Sequence, residues 1–332
     1  MVKYHYPFLR EMISMLLWIL LGLGAALLIT LLVFAVISYR NCFYSAPRKP
    51  RAEGERQIAT GKKYDPYREL FEAWSDEYHS LPKEDVWITA FDGLKLHGTF
   101  IEYAPGAPIE IMFHGYRGTA ERDLAGGVHR CQILKRSCLL VDQRGSERSE
   151  GNVLTFGILE HRDCLKWVDY VVARFGSEVP IILTGVSMGA TTVLTAAGKE
   201  LPSNVIGVLA DCPFSSSREI MLKVLKDKGL PRRIIYPLLR ISARLVGHFK
   251  LEETSPVEAM KTCTVPVLLI HGEEDHYVPL RMSRKIYAAC KSRKRLVIVP
   301  GAAHCLCYPV DQEGYLQVLR EFFGPEASFS KK

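Results

Sequence analysis

The chain has 332 residues, is 48% hydrophobic and 24% charged, and carries a formal net charge of +7 at pH 7. These values are close to those of soluble globular proteins, so they exclude a wholly disordered chain and a fibrous repeat protein. The length allows one large α/β domain or two domains of ordinary size.

The first predicted element is an apolar segment near the N-terminus. No side chain that is charged at pH 7 occurs between Glu11 and Arg40, and this run is longer than the roughly 20 residues that span a bilayer. A cleaved signal peptide is the alternative, but its apolar core has only about 7–15 residues and ends at a small-x-small site, which does not follow here. Residues 1–39 are therefore predicted to form an uncleaved transmembrane anchor.

The charges that flank this anchor predict its orientation. Lys3 and Arg10 precede it, and five basic residues follow it closely, namely Arg40, Arg48, Lys49, Arg51 and Arg56. Because basic loops stay on the cytoplasmic side, the main domain is predicted to be a cytoplasmic domain of a single-pass membrane protein. The nine cysteines agree with this prediction, since they form no Cys-x-x-Cys pair and unpaired thiols persist in a reducing compartment.

A linker and a short helix are predicted over residues 40–82. Arg, Lys, Pro and Gly are frequent between residues 40 and 63, which is typical of a linker. Residues 65–78 could form a short helix, with apolar and aromatic side chains on one side. From residue 83 onward the pattern changes to short apolar runs separated by helical segments, so the main domain is predicted over residues 83–332.

Eight apolar runs in this domain are predicted to be strands. They lie at residues 86–90, 94–101, 109–113, 138–141, 181–184, 205–210, 267–270 and 296–299. The first two are joined at Asp92-Gly93, a hairpin turn, and the later runs alternate with helical segments. This alternation requires crossover connections. The predicted fold class is therefore α/β, an eight-stranded and mostly parallel sheet covered by helices on both faces.

The alternation is interrupted between the sixth and seventh predicted strands. More than 50 residues separate these strands, and a structureless loop of that length is uncommon. Apolar residues recur at helical spacing in two stretches, near residues 220–225 and 234–245. The insertion, at about residues 213–262, is therefore predicted to be a helical lid that caps one edge of the sheet.

The predicted lid is strongly basic. Nine basic and two acidic residues lie between residues 214 and 250, and the difference of +7 equals the net charge of the whole chain. Nucleic-acid binding is disfavoured, because no aromatic stacking platform or groove-binding motif accompanies these charges. We expect the lid to lie against anionic lipid on the same side as the anchor, and a solvated surface without a partner is the alternative.

A Gly-x-Ser-x-Gly motif, Gly185-Val186-Ser187-Met188-Gly189, follows the predicted strand at residues 181–184 and precedes a helix of small residues. The string alone occurs by chance in roughly one chain in ten of this length. Its strand–turn–helix setting is more specific, because a tight turn exposes the hydroxyl and the glycines let strand and helix approach closely. Ser187 is therefore the candidate nucleophile.

Two further residues are predicted to complete a catalytic triad with Ser187. A serine hydroxyl needs a base, and His304, which follows the last predicted strand, is suited to proton transfer at neutral pH. Asp275, which follows the seventh predicted strand, is the candidate for the acid that orients the imidazole. The order nucleophile, acid, base is that of one hydrolase family. Asp211 as the acid and His276 as the base are the alternatives.

Two backbone N–H groups are predicted to stabilise the oxyanion of a tetrahedral intermediate. One belongs to Met188, which directly follows the nucleophile at the start of a helix. The other belongs to Tyr116, which lies in a glycine-containing loop after the third predicted strand. His114 is expected to brace this loop and to transfer no proton, and Gly115 lets the backbone bend toward the substrate.

These motifs resemble the α/β-hydrolase superfamily, and within it the serine aminopeptidase-like hydrolases that carry a helical lid. The resemblance extends from about residue 85 to residue 323 and includes the acid turn at residues 272–279 and the base turn at residues 301–304. The loop at residues 142–151 is also similar, although Glu147 stands where the family usually has Gly. The resemblance implies a serine hydrolase of esters, thioesters or amides that needs no cofactor.

A metal ion is not expected either, because Cys305 and Cys307 are too close in sequence for a usual zinc pair. Arg117 and Arg144 are interpreted as salt-bridged loop residues, with a role in binding an anionic substrate as the alternative.

The predicted function is cleavage of carboxylic esters with a hydrophobic acyl or alkyl group, through an acyl-enzyme intermediate. The predicted partners are a small-molecule or lipid-like ester and the membrane, with no nucleic acid. A serine peptidase of the aminopeptidase type is the alternative, but it would need an acidic patch for the substrate amine, and the basic lid argues against this. A non-catalytic binding protein would be expected to lack a member of the triad.

Overall fold

The computed structural model describes residues 7–46 and 55–324. Four of the basic residues that flank the predicted anchor, Lys3, Arg48, Lys49 and Arg51, lie outside these ranges. The predicted cytoplasmic orientation of the domain therefore stays a prediction.

Helix α1 (Pro7–Cys42) contains the predicted N-terminal apolar segment. It is the one helix in the described ranges that is long and apolar enough to cross a membrane, with a mean hydropathy of 2.8. A signal sequence near the N-terminus would share these properties. The helix extends beyond residue 39, and Ala35 and Ser38 near its end are buried against the rest of the chain.

A single eight-stranded sheet forms the centre of the main domain, and all eight predicted strands are confirmed. The strands are β1 (Glu84–Thr89), β2 (Lys95–Ile101), β3 (Ile109–Phe113), β4 (Ser137–Val141), β5 (Ile181–Val186), β6 (Val205–Asp211), β7 (Val267–Gly272) and β8 (Lys294–Val299). Their order in the sheet is β1-β2-β4-β3-β5-β6-β7-β8. Strand β2 pairs antiparallel with β1 and β4, and the other pairs are parallel. The sheet is therefore mostly parallel, as predicted.

Helices cover both faces of the sheet. On one face the core contains side chains from α4 (Glu160–Phe175), α5 (Met188–Ala196), α8 (Pro256–Ala259) and α9 (Arg281–Ala289). On the other face it contains side chains from α2 (Arg68–Ser80), α3 (Ala120–Ile133), α10 (Cys307–Val310) and α11 (Gln312–Phe323). Because both faces are covered, every residue of β3 and β4 is buried, and these strands are continuous apolar runs apart from a few polar residues.

One of these polar residues, Glu110 in β3, is fully buried and binds two arginines. Its two carboxylate oxygens lie 2.5 Å from Nη2 of Arg130 and 2.5 Å from Nη1 of Arg136. Burial alone would raise the pKa of Glu110, but the two guanidinium groups outweigh it and lower the pKa to about 2. The carboxylate is therefore ionised and holds α3 against the sheet.

The insertion between β6 and β7 is helical, as predicted, and packs against the end of α1. It contains α6 (Ser217–Asp227), α7 (Arg232–Leu245) and α8. The hydroxyl of Ser242 in α7 donates a hydrogen bond to the carbonyl oxygen of Ala35, at 2.7 Å. The ring of Phe43 meets that of Phe249 edge to face, with centroids 5.3 Å apart. The insertion and the end of the apolar helix therefore share one buried contact.

Candidate active site

The candidate nucleophile lies on a strained turn between β5 and α5. Ser187 has φ 52° and ψ −112°, a conformation that non-glycine residues rarely adopt. A Cβ atom at Gly189 would lie 1.9 Å from the carbonyl oxygen of Phe113, and one at Gly185 would lie 2.2 Å from the carbonyl carbon of Gly189. Only glycine fits at these two positions, so the motif is required by the close approach of strand and helix.

The three predicted triad residues form one hydrogen-bonded row. His304 Nε2 lies 3.0 Å from Ser187 Oγ, and His304 Nδ1 lies 2.6 Å from Asp275 Oδ2. The other carboxylate oxygen of Asp275 accepts hydrogen bonds from the backbone N–H groups of Val278 and Tyr277, at 2.8 and 3.0 Å. Each member follows the carboxyl end of a strand, β5, β7 or β8, which is where open α/β sheets place their sites.

The environment keeps Asp275 ionised. Burial alone would raise the pKa of its carboxyl group, but hydrogen bonds from His271 and His304 and the backbone N–H of Val278 hold the pKa well below its usual range. The buried carboxylate can therefore accept a hydrogen bond from the N–H group at Nδ1 of His304, and it can stabilise a positive charge on the imidazole.

A pair of thiols that the sequence analysis did not identify lies beside His304. Cys212 Sγ and Cys305 Sγ are 3.5 Å apart, and a ring nitrogen of His304 lies within 4.8 Å of both. A hydrogen bond from Cys212 lowers the pKa of the Cys305 thiol to about 5, against the effect of burial, and His304 adds to this. Burial lowers the pKa of His304, but the Cys305 thiolate and Asp275 outweigh it and raise the pKa to about 10.

These three side chains also offer metal-ligand atoms. Two thiols and an imidazole are a donor set that Zn²⁺ accepts. Both ring nitrogens of His304 already have partners in Ser187 and Asp275, however. A metal ion on this histidine would therefore compete with the hydrogen bond to the candidate nucleophile. The signal for this cluster in the sequence is that Cys212 directly follows β6 and Cys305 directly follows His304.

A buried histidine, His114, holds the loop after β3. His114 Nδ1 donates to the carbonyl oxygen of Gly115 at 2.8 Å, and its Nε2 accepts from the backbone N–H of Gln143 at 3.2 Å. Burial lowers the pKa of His114, which keeps the ring neutral. Met188 is the first residue of α5, so its N–H has no acceptor within the helix. The arrangement makes His114 a brace for the loop.

The end of α1 contacts the same loop. The hydroxyl of Tyr116 donates to the carbonyl oxygen of Cys42 at 2.8 Å. The guanidinium of Arg117 donates to the carbonyl oxygens of Asn41 and Tyr44, at 2.9 and 3.1 Å. Arg117 therefore joins this loop to the end of α1 through two backbone carbonyl groups.

The alternative site residues lie elsewhere or have other partners. Asp211 accepts a hydrogen bond from the hydroxyl of Tyr315 at 3.2 Å, whereas His304 is held by Asp275. The side chain of His276 is 88% exposed. Arg144 is buried and forms ion pairs with Asp163 and Asp92.

Glu147, which stands where the related loops usually have Gly, has a φ of 48°. This value lies in the left-handed region that favours glycine. The loop therefore keeps the conformation that the resemblance implies, with a non-glycine residue in a strained position.

A cavity of about 430 Å³ lies beside Ser187 and His304. Part of its wall comes from residues 57–64, in the segment predicted to be a linker, and part from Phe71 and Trp74 of α2. None of the cavity-lining residues that the structure describes belongs to the insertion at residues 213–262. The segment that follows the apolar helix therefore forms part of the cavity wall, and the lid role of the insertion stays a prediction.

Fold and site together define an α/β hydrolase. The model of the prolyl oligopeptidase family matches residues 144–327, which is more than half of the chain. The chain belongs to the prolyl oligopeptidase family.

Curated proteins and solved structures are also similar to this chain. Uncharacterized protein YqkD of Bacillus subtilis is 26% identical over 59% of this chain and 64% of its own length. Esterase Pf2001 of Pyrococcus furiosus superposes with a TM-score of 0.60, at 20% identity over 83% of this chain and 98% of its own. The acylaminoacyl peptidase of Pyrococcus horikoshii superposes with a TM-score of 0.55, at 17% identity over 77% of this chain and 44% of its own. At these identities the two solved structures indicate the fold alone.

Proposed function

We propose that the protein is a serine hydrolase that cleaves carboxylic esters through an acyl-enzyme intermediate. The observation that carries this proposal is the row of hydrogen bonds from Asp275 through His304 to Ser187, beside a cavity large enough for a small ligand. No cofactor enters the proposed reaction, because the three side chains supply nucleophile, base and orienting acid.

In the proposed mechanism the hydroxyl of Ser187 attacks the ester carbonyl carbon, and His304 Nε2 takes the hydroxyl proton. Asp275 holds the resulting imidazolium, and the N–H groups of Tyr116 and Met188 donate hydrogen bonds to the oxyanion. The C–O bond then breaks, and His304 returns the proton to the departing alcohol. A water molecule, deprotonated by the same imidazole, hydrolyses the acyl-enzyme and frees Ser187.

A serine peptidase of the aminopeptidase type is the second candidate, since the family and one structural neighbour are peptidases. A peptidase specific for N-termini needs a carboxylate free to pair with the substrate amine. Of the two aspartates that line the cavity, Asp123 already accepts from the backbone N–H of Gly115 and from Arg122. Asp211 already accepts a hydrogen bond from the hydroxyl of Tyr315, and burial raises the pKa of its carboxyl group to about 6. The site therefore favours a neutral ester over a charged peptide terminus.

The experiment that tests the proposal is labelling of the full chain in detergent with a fluorophosphonate probe, together with panels of p-nitrophenyl esters and aminoacyl p-nitroanilides. We expect labelling and ester hydrolysis, and a loss of hydrolysis of about 10⁴-fold or more in Ser187→Ala. Ser215→Ala is the matched control, because its buried hydroxyl contacts Glu219 in the insertion. Labelling that survives in Ser187→Ala would refute the assignment, and faster anilide cleavage would favour the peptidase.

We also propose that α1 anchors the protein in a membrane, with the catalytic domain on the cytoplasmic side, and that α7 lies on the lipid surface. Three apolar residues of α7, Ile234, Ile241 and Leu245, are 65%, 46% and 58% exposed. Their spacing places them on one side of the helix. Since α7 also packs against the end of α1, this side would lie close to the bilayer, and the basic residues of the insertion would meet anionic headgroups.

Hydrogen exchange of the full chain in nanodiscs tests the surface contact. We expect α7 to exchange more slowly in discs with anionic lipid than in neutral discs, and the difference to vanish when Arg232, Arg233 and Arg244 are all replaced by Gln. The control replaces three exposed basic residues outside the insertion, Lys199, Arg284 and Lys291. Equal exchange in the two lipids, or an equal effect of the control, would contradict the proposal.

A further inference from the structure

Three pairs of thiols hydrogen-bond to each other among the described residues, and one pair differs from the other two in its exposure. The pairs are Cys131 with Cys138, Cys263 with Cys290, and Cys212 with Cys305. Both members of the first two pairs are at most 4% exposed. Cys305 is partly exposed and is one of the residues that line the cavity beside Ser187. The third pair is therefore the one that a small molecule in this cavity would meet.

The sulfur atoms of Cys212 and Cys305 are close enough to bond after a small movement. They lie 3.5 Å apart, and a disulfide bond would bring them to about 2.05 Å. Both residues have a left-handed backbone, with φ of 47° and 62°. Residues other than glycine keep this conformation only where the surrounding structure fixes it. The fold therefore holds the two thiols in contact.

The two thiols differ as a reactive and a resolving cysteine do. A hydrogen bond from Cys212 and the positive charge of His304 outweigh burial and lower the pKa of the Cys305 thiol to about 5. Cys305 is therefore a thiolate at neutral pH, which is the form that peroxides oxidise. Cys212 is fully buried, and burial raises the pKa of its thiol well above the usual value. Cys212 therefore keeps its proton and is placed to attack an oxidised Cys305.

We propose that Cys212 and Cys305 are an oxidation site, at which a peroxide that enters the cavity forms a disulfide bond and thereby raises the reactivity of Ser187. The thiolate of Cys305 attacks one peroxide oxygen, and the O–O bond breaks. The departing oxygen takes a proton from the imidazolium of His304 and leaves as water or an alcohol. The product is a sulfenic acid on Cys305.

The second step forms the disulfide bond. The sulfur of Cys212 attacks the sulfur of the sulfenic acid, so an S–S bond forms and the S–O bond breaks. The hydroxyl group leaves as water with the proton of the Cys212 thiol. The two sulfur atoms have then lost two electrons, which the peroxide has gained. Because disulfides are transient in a reducing compartment, a dithiol would reverse the reaction.

The disulfide removes a negative charge that faces His304. Cys305 Sγ and a ring nitrogen of His304 lie within 4.8 Å of each other, so the thiolate stabilises the imidazolium. A protonated His304 does not take the proton of Ser187, whereas a disulfide is neutral and leaves the imidazole free to do so. This effect on Ser187, unlike the disulfide itself, rests on the proposed hydrolase function.

The first experiment detects the disulfide. The full chain in detergent, with a metal chelator present, is treated with hydrogen peroxide, and its tryptic peptides are examined by mass spectrometry without reduction. We expect a cross-link between the peptides that contain Cys212 and Cys305, and its loss in Cys212→Ala and in Cys305→Ala. Cys307→Ala should keep the cross-link, which assigns it to Cys305, because Cys305 and Cys307 share one tryptic peptide.

The matched control is the pair of Cys263 and Cys290. The pKa of the Cys290 thiol is also lowered, to about 6, but Cys290 is 2% exposed and does not line the cavity. We expect the cross-link at Cys305 to form faster than one at Cys290, by about tenfold or more. Equal rates at the two pairs, or no cross-link between Cys212 and Cys305, would overturn the proposed oxidation site.

The second experiment measures the rate of fluorophosphonate labelling of Ser187 near neutral pH, before oxidation, after oxidation and after reduction with dithiothreitol. We expect oxidation to raise this rate by about tenfold or more, and dithiothreitol to restore the first rate. The restored rate excludes oxidation of methionine, which needs a dedicated reductase. Cys305→Ala should label at one rate in all three states, whereas Cys290→Ala should respond as the wild type does.

The outcomes separate this inference from the proposed function. A cross-link that leaves the labelling rate unchanged or lowers it would overturn the effect on Ser187, and the hydrolase function would stand. Ser187 that is not labelled in either state would refute the hydrolase function. The cross-link would still decide whether Cys212 and Cys305 are an oxidation site.

Discussion

Replacing Cys305 by alanine should move the pH dependence of catalysis toward lower pH. His304 must be neutral to take the proton of Ser187, so kcat/KM rises as the pH rises through the pKa of His304. The Cys305 thiolate and Asp275 raise this pKa to about 10 in the wild type. Without the thiolate, the imidazolium of His304 loses one stabilising negative charge. The pKa of His304 therefore falls, and the acid limb of the pH profile moves to lower pH.

The magnitude follows from the distance between the two groups. Cys305 Sγ and a ring nitrogen of His304 lie within 4.8 Å of each other. At this distance and an effective dielectric constant of about 20, two opposite unit charges attract each other by about 3.5 kcal/mol. One pH unit corresponds to about 1.4 kcal/mol, so the acid limb should move to lower pH by about 2.5 units. At pH 7.5 the variant should therefore react faster than the wild type, by a factor on the order of a hundred.

The assay is the rate of fluorophosphonate labelling of Ser187 between about pH 5 and 10, measured on the full chain, because it needs no knowledge of the natural substrate. Cys290→Ala is the matched control, since Cys290 also forms a thiol pair, with Cys263, and its pKa is lowered to about 6. Coinciding profiles for wild type and Cys305→Ala, or a shift to higher pH, would refute the reasoning.

Three further predictions concern stability and the oxyanion loop. Glu110→Gln should lower the free energy of unfolding, measured in urea, by about 3–5 kcal/mol, because two buried arginines lose their carboxylate partner. The control variant Glu258→Gln, at an exposed ion pair, should leave the unfolding midpoint unchanged. The stabilising contribution of Glu110 is present above the ordinary pKa of 4.5 and is lost as the pH falls toward about 2, which acid titration of unfolding would measure. Gly189→Ala should yield little folded protein by circular dichroism, because its Cβ would lie 1.9 Å from a carbonyl oxygen of β3. Tyr116→Phe keeps the backbone N–H but loses the bond to Cys42, so kcat should fall several-fold with KM little changed.

The strands, and the proximity of the three candidate triad residues, could be predicted because local features specify them. Buried parallel strands are short apolar runs between helical segments, and the structure places each predicted strand within two residues of its expected ends. The candidate triad members follow three of these strands directly. In a parallel sheet the carboxyl ends of the strands share one edge, so sequence position alone brings Ser187, Asp275 and His304 together.

The pair of thiols beside His304 was not predicted, because its two members follow different strands. Cys212 directly follows β6, and Cys305 follows β8. Each is an ordinary cysteine in its own segment, and only the fold brings the two sulfur atoms to 3.5 Å from each other.

The cover of the cavity was also not predictable from composition. Residues 57–64 contain a glycine and two lysines, as a linker would. Most of them nevertheless line the cavity, and Lys63 Nζ lies 3.3 Å from the carbonyl oxygen of His304. The insertion has the amphipathic pattern of a lid, but the apolar side of a helix does not identify what it packs against. In this chain α7 packs against the end of α1.

The end of the apolar helix α1 is in direct contact with the loop after β3. The carbonyl groups at the end of α1 have no partners within the helix and must find donors elsewhere. Tyr116 and Arg117 of the oxyanion loop supply such donors to Cys42 and Asn41. Since the position of the loop backbone decides how well its N–H can stabilise an oxyanion, a shift of α1 relative to the domain would be transmitted to the site through these bonds. If the loop holds the oxyanion as proposed, the end of α1 is expected to help position it.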